Sequence, residues 1–197
     1  MAQGYISNIV FCEGDNDLLF ISSILNNLNV THRPIKHNAI FDSGKNEETK
    51  IIRQFLRDNK SHDTSKRHRF LIKEEQGKYN SMDSFIHHLP FSELNLNLLL
   101  VVDWDNGKTL KDITNRLTEE RNYLHKIRKC LYKTKEGQKT FFIPTSLENQ
   151  ILQEMKININ VYSYDDKKQV MDDFVTRDLL WIQEFYSVIN DIGHEIA

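Results

Sequence analysis

The chain has 197 residues, 39% apolar and 27% charged, with a formal net charge of −2. That length suits one domain with a full hydrophobic core, read over 1–197 with a core at 5–155 and a C-terminal helical extension at 165–195. No apolar run approaches the roughly 20 residues that cross a bilayer, and MAQGYISNIVF lacks the basic head and long apolar stretch of a secretory signal, so no membrane association and a cytoplasmic location are expected.

Only two cysteines occur, Cys12 and Cys130, far apart in sequence, which excludes a disulfide framework and a Cys-based zinc site. Cys12 lies inside an apolar run and reads as a small buried hydrophobe.

In chain order, YISNIVFC (5–12) predicts a strand ending at the turn EGDND. From Asp17, LLFISSILNNL spaces its apolar residues as a largely buried helix, with Asp15 or Asn16 as cap. Pro34 opens an extended segment, IKHNAIF, that ends at Asp42-Ser43-Gly44-Lys45. EETKIIRQFLRDN then predicts an amphipathic helix with Ile51, Ile52, Phe55 and Leu56 on one face. This alternation argues for an α/β fold with a mainly parallel central sheet flanked by helices.

Residues 57–80 read as a polar loop holding one short strand, RFLIK, and MDSFIHHLPF as a short helix closed by Pro90. Leu98–Val102 is apolar and partly β-branched, as in a central strand buried on both faces. Residues 108–133 space their apolar positions as one long amphipathic helix. KTFFIP is a strand stopped by Pro144, and TSLENQILQEM is a helix capped by Thr145 or Ser146, with Glu148 completing a capping box to Thr145. A final helix is expected from about 168 to 192.

Two stretches are basic: 60–78, with Lys66, Arg67, Arg69 and Lys73, and 121–139, with seven Lys/Arg against one Glu. Either could contact phosphates or simply form a solvated face. The histidines are poor metal ligands by spacing: His87 and His88 are adjacent, His62 and His68 sit in a charged stretch, and no His-x-x-x-His occurs.

Carboxylates gather where strands are expected to end: Glu13 with Asp15 and Asp17, Asp103 with Asp105, and Glu148. In a parallel sheet those ends lie on one edge, where α/β proteins place ligands. Carboxylates collected there repel one another unless a cation intervenes, and hard oxygen ligands suit Mg²⁺ or Mn²⁺. If the strand runs through Asp103, residues 103 and 105 point the same way. Taken alone, an Asp-x-Asp triplet is equally at home in a solvated turn.

These segments resemble a family. IVFCEGDNDLLFISSIL looks like the first motif of TOPRIM domains, a hydrophobic strand ending in Glu-Gly, and LLLVVDWDNG is similar to the second, a strand ending in Asp-x-Asp. The likeness is greatest to small stand-alone TOPRIM proteins and the TOPRIM domain of OLD-family nucleases, matched by Glu13, Gly14 and Asp17, by Gly44-Lys45, and by Ser146, Leu147 and Glu148, over about residues 5–155.

The resemblance implies one or two Mg²⁺ or Mn²⁺ ions held by Glu13, Asp17, Asp103 and Asp105, with Ser146 and Glu148 at a second position. Glu13, Asp103 and Asp105 would be catalytic; Gly14, Gly44 and Lys45 would approach phosphate or nucleic acid. It implies a nuclease-like activity on DNA or RNA, alone or with a separate partner protein, as monomer or homodimer. The rival is a non-catalytic binding module, and a receiver-like or phosphatase-like fold lacks the late-strand lysine it needs. Topoisomerase, primase and ATPase machinery is absent: the chain is short and has no Gly-x-x-x-x-Gly-Lys-Ser/Thr. Trp104 is bulkier than the small residue usual in that motif; it either packs on the sheet or stacks on a base.

Overall fold

The computed structural model describes residues 7–36, 45–60, 69–90, 96–119 and 123–194. Seven strands form one sheet: β1 (Ser7–Cys12), β2 (His32–Ile35), β3 (Phe70–Glu74), β4 (Leu96–Asp103), β5 (Leu124–Lys126), β6 (Leu131–Thr134) and β7 (Lys139–Ile143). Their order is β2-β3-β1-β4-β7-β6-β5. The pairs among β2, β3, β1, β4 and β7 are parallel, while β6 pairs antiparallel with both β7 and β5. The fold is therefore α/β with a mainly parallel sheet, as the alternating pattern implied.

The helices are α1 (Asp15–Asn27), α2 (Lys45–Lys60), α3 (Lys78–His88), α4 (Lys108–Glu119), α5 (Leu147–Met155), α6 (Tyr164–Phe174) and α7 (Leu180–His194). The central strands alternate between two cores. Val10, Cys12, Leu99, Val101 and Phe141 face α1, α5, α6 and α7; Ile9, Phe11, Leu98, Leu100, Val102 and Phe142 face α2, α3 and α4. This double burial is why β1 and β4 read as continuous apolar runs. Strand handedness explains which helix lies where. The chain leaves β1 toward β2 in one direction and crosses from β3 to β4 in the other, so right-handed crossovers put α1 and α3 on opposite faces. Adjacent β1 and β4 thus flank a switch point, with an open crevice beyond their C-terminal ends.

Several local expectations are corrected. The helix expected over 108–133 stops at Glu119, and the chain then forms β5 and β6, a wing added to the sheet edge. Thr134–Gln138 turns that wing into β7: Thr134 N donates to Gln138 O at 2.7 Å, and Gly137 supplies φ +99°. The single C-terminal helix is two, α6 and α7, broken after Phe174. Pro34 lies inside β2 rather than opening an extended segment, and most of IKHNAIF, with Asp42-Ser43-Gly44, falls outside the described residues.

The stretch 57–80 is less of a loop than expected. It begins as the end of α2, all of β3 is buried, and α3 starts four residues before MDSF. Lys73 is no phosphate contact. It is 3% exposed, ion-paired with Glu75, and donates to Ser84 Oγ at 2.7 Å. Lys66, Arg67, His62 and His68 lie outside the described residues. Cys12 is fully buried and its thiol donates weakly to Lys73 O at 3.7 Å. No helix among the described residues is long and apolar enough to cross a membrane.

Candidate functional site

Glu13 follows the last residue of β1 and Asp103 is the last residue of the neighbouring β4, so both stand on the C-terminal edge of the sheet at the switch point. The Glu13 side chain reaches the Asp103 backbone: Asp103 N donates to Glu13 Oε1 at 3.0 Å. Gly77, after β3, donates its N–H to Glu13 O at 2.6 Å, tying a third strand end to the same point. Glu148, in the first turn of α5 after β7, accepts a 2.7 Å hydrogen bond from Asn16 Nδ2 of α1. Four successive strand–helix junctions thus converge.

The turn after Glu13 differs from expectation. Gly14, not Asp15 or Asn16, is the N-terminal boundary residue of α1, and its φ of −158° is extended backbone open to any residue. A Cβ there would meet nothing within 4 Å, so the space above Gly14 is open. Asp17 reaches back and accepts from Gly14 N at 3.1 Å, which fixes the turn. Ser146 caps α5, accepting from Asn149 N at 3.3 Å; the Thr145–Glu148 capping box does not form, because Thr145 turns away at φ +61° and Glu148 bonds Asn16.

Electrostatically these groups form one system. Burial, then the Glu13 and Glu148 charges, push the Asp103 carboxyl up to about 8, with Lys78 opposing. Burial likewise raises Glu13, against the Asp103 N–H and Lys78, which lower it. Asp17 is raised well above the usual carboxylate range by burial and then by Asp103, Glu13 and Glu148. Asp103 Oδ1 is buried and finds no hydrogen-bond partner among the described residues. A buried acceptor left unsatisfied costs about 1–3 kcal/mol, more when charged, unless something supplies the missing partner.

Asp105 is half-exposed and does not share the pocket as strand alternation would have it. The chain leaves the strand at Asp103, and Asp105–Gly107 is a one-turn 3-10 segment with positive φ at all three residues. Asp105 instead pairs with Lys78 of α3. Trp104 packs against the second core, edge-on to Phe142 at 5.2 Å and stacked toward Tyr132 at 6.4 Å. Gly44 lies outside the described residues, and Lys45 only begins α2.

Asn16, Gly77 and Lys78 are the neighbours that sequence reading missed. Gln76-Gly77-Lys78 is a Gly-Lys turn between a strand and a helix, the same pattern noted at Gly44-Lys45, but after β3. Here the glycine is required, at φ +122°.

Positive-φ residues also concentrate here: Gln76, Asp105, Asn106 and Thr145 all sit in the loops that follow β3, β4 and β7. Such conformations cost on the order of 1 kcal/mol or more each, and a β-branched residue such as Thr145 is a strong outlier.

As a cation site the donor set is chemically apt: hard carboxylate oxygens, one of them buried without a partner. Among the described residues no group of three or more His, Cys, Asp or Glu side chains is arranged to hold a metal ion. Mg²⁺ does not need one, because it keeps several waters and commonly takes one or two protein carboxylates plus substrate phosphates. Glu13 and Asp103 fit that role, with Glu148 beside them. No family model, curated protein or solved structure matches the chain.

Proposed function

We propose that this protein is a Mg²⁺- or Mn²⁺-dependent phosphodiester hydrolase of TOPRIM type, acting on nucleic acid at the Glu13–Asp103 edge. One observation carries the reading: carboxylates from three strand–helix junctions are drawn together and desolvated at a parallel-sheet switch point, and the central one, Asp103, has a buried oxygen with no partner among the described residues. A fold does not keep such a cluster without cause, since each charge raises the cost of the next.

Glu13 and Asp103 would hold the cation, with Asp17 and Glu148 adding negative potential around it. A bound cation would supply charge stabilisation for a phosphoryl oxygen and activation of a water. The chain's own groups do the rest. The Asp103 N–H holds Glu13 in place, Asn16 orients Glu148, and Asp17 fixes the Glu-Gly turn. Lys78, held by Asp105 at the N-terminal end of α3, offers a positive charge to a phosphate beside the carboxylates. The open space above Gly14 admits the phosphate without a side-chain clash.

The test is cleavage of plasmid, single-stranded DNA and single-stranded RNA with Mg²⁺ or Mn²⁺. Asp103→Asn and Glu13→Gln should each lower the rate by roughly 100-fold or more while the melting profile survives. Unchanged cleavage by either variant would overturn the assignment. The second reading, a non-catalytic metal- or nucleic-acid-binding module working with a partner protein, draws on the lack of a three-ligand group among the described residues. Tight binding with no cleavage in any metal would favour it.

A further inference from the structure

The carboxylates of the candidate site share their edge with a neutral side chain whose oxygen is left over. Asn16, in the first turn of α1, donates from Nδ2 to Glu148 Oε1 at 2.7 Å and to Asn160 Oδ1 at 3.4 Å. A carboxamide carries donors on its nitrogen and lone pairs on its oxygen. Turned the other way, it would set that oxygen against the Glu148 carboxylate, so the contact fixes which end faces α5. Asn16 Oδ1 therefore points away from Glu148. It is buried and has no hydrogen-bond partner among the described residues.

Asp103 Oδ1 is in the same condition. Both oxygens belong to one neighbourhood: Asn16 is bonded to Glu148, and the Glu148 charge helps raise the Asp103 carboxyl. Asn16 also follows Glu13 directly across the Gly14 turn that Asp17 ties down. Buried acceptors without donors, set among carboxylates, are costly as they stand. One donor would satisfy one of them, whereas a cation satisfies both at once. An amide oxygen is a hard ligand of the kind such cations accept, and it adds no charge to an edge already crowded with it. Among the described residues no three His, Cys, Asp or Glu side chains form a metal-holding group; the amide supplies an oxygen from outside those four types.

We propose that Asn16 Oδ1 is a ligand of the cation held by Glu13 and Asp103, and that Glu148 serves that cation by holding the Asn16 amide in its ligating orientation. Partners one step behind a metal ligand commonly fix its orientation in this way. This role rests on Glu13 and Asp103 holding a cation, and not on hydrolysis.

The test is Mn²⁺ binding, read from the electron paramagnetic resonance of free Mn²⁺ during titration, with the folding of each variant checked by melting in EDTA. Asn16→Ala should weaken binding by about tenfold or more. Glu148→Gln removes a charge but keeps an acceptor for Nδ2, and should weaken binding by no more than about threefold. Electrostatics alone gives the opposite order, because Asn16→Ala leaves the Glu148 charge without its donor and more attractive to a cation.

Wild type carrying ¹³C at its asparagine carboxamide carbons gives a reading that needs no variant. Electron–nuclear double resonance of the bound Mn²⁺ should show the ¹³C coupling of a carbon one bond from a ligating oxygen. Binding by Asn16→Ala within about twofold of wild type, a larger loss in Glu148→Gln, or absence of the ¹³C coupling would overturn the Asn16 assignment. If Asp103→Asn loses Mn²⁺ in that case, the cation at Glu13 and Asp103 survives without Asn16. No Mn²⁺ binding by wild type overturns both. Binding as expected, with no cleavage of nucleic acid, leaves Asn16 in place and overturns the hydrolase reading.

Discussion

On the β1–β4 side of the sheet, strands run parallel, are covered by helices on both faces, and end in carboxylates held together against their mutual repulsion. On the β6–β5 side, strands are short and antiparallel, β5 is the outermost strand of the described sheet, and most of the exposed side chains are basic. The first region gathers a negatively charged edge that favours a cation. The second builds a shallow positive surface that favours an anion. A polyanion bridging the two would need the crevice neutralised first, so in this molecule the two regions make sense together or as unrelated surfaces, and mutation can separate these cases.

The largest expected effect tests whether the parallel half carries the stability. Phe11 is fully buried in β1, packed edge-on against Phe85 at 6.1 Å and against His88 at 5.3 Å. Phe11→Ala should cost about 3–5 kcal/mol in denaturant unfolding. A loss below about 1 kcal/mol would mean that the core does not rest on β1.

Next in size is the electrostatic cost of the crevice. The Asp103 carboxyl titrates at about 8 in the folded chain, above its ordinary 3.8. The raised value means that the folded state binds the proton better, so stability is greatest in acid and falls as pH rises toward 8, levelling off above it. One group gives a slope of at most about 1.4 kcal/mol per pH unit, and solvent access reduces it. Asp17 and Glu13 shift the same way and steepen the trend. In EDTA, Asp103→Asn should flatten this profile and be about 1–2 kcal/mol more stable than wild type near pH 8. Added Mg²⁺ should stabilise wild type more than the variant at that pH. A pH-independent melting temperature between 5 and 8 in wild type would remove the argument for a desolvated site.

How much of this was legible depends on the region. In the parallel half, long apolar runs broken off by EGD, DWD or Pro144 are what doubly buried strands leave in a sequence, so β1, β4 and β7 were found and their carboxylates with them. In the wing, the apolar residues Leu124, Ile127 and Leu131 fall at helical spacing only by coincidence. Leu124 faces one side of the sheet, Ile127 lies in the turn, and Leu131 belongs to the next strand and the other face. The neglected signal was Gly137, a hairpin glycine between LYKT and KTFF.

Asn16 and Lys78 were missed for a different reason. Nothing local ties Asn16 to Glu148, 132 residues away, or Lys78 to Asp105. Those contacts exist only because parallel crossovers bring four strand ends to one edge. The break between α6 and α7 has no Gly or Pro to announce it.

A smaller effect tests the wing's geometry alone. Gly137 sits at φ +99°, and an added Cβ would come within 3.3 Å of Lys133 Cε. Gly137→Ala should cost about 1–2 kcal/mol through backbone strain, since the lysine end can move aside. The pH profile of stability should stay as in wild type. A changed pH profile would mean that wing and crevice are mechanically coupled.

The smallest effect concerns the α5 junction. Ser146 Oγ caps α5, so Ser146→Ala should lower stability by about 1 kcal/mol. The same side chain stands two residues before Glu148, where the proposed TOPRIM reading would put a second cation. The two roles separate by degree. If Ser146 only caps, the variant loses its 1 kcal/mol equally in EDTA and in saturating Mg²⁺. If it also binds a cation, the loss grows in Mg²⁺, because the ligand-linked part of the stability falls as well. Ser146→Asp keeps a capping oxygen and adds a charge beside Glu148. It should restore the cap in either case, but destabilise in EDTA and recover in Mg²⁺ only if the junction takes an ion. That pair of melts decides whether the negative crevice ends at Asp103 or extends onto α5.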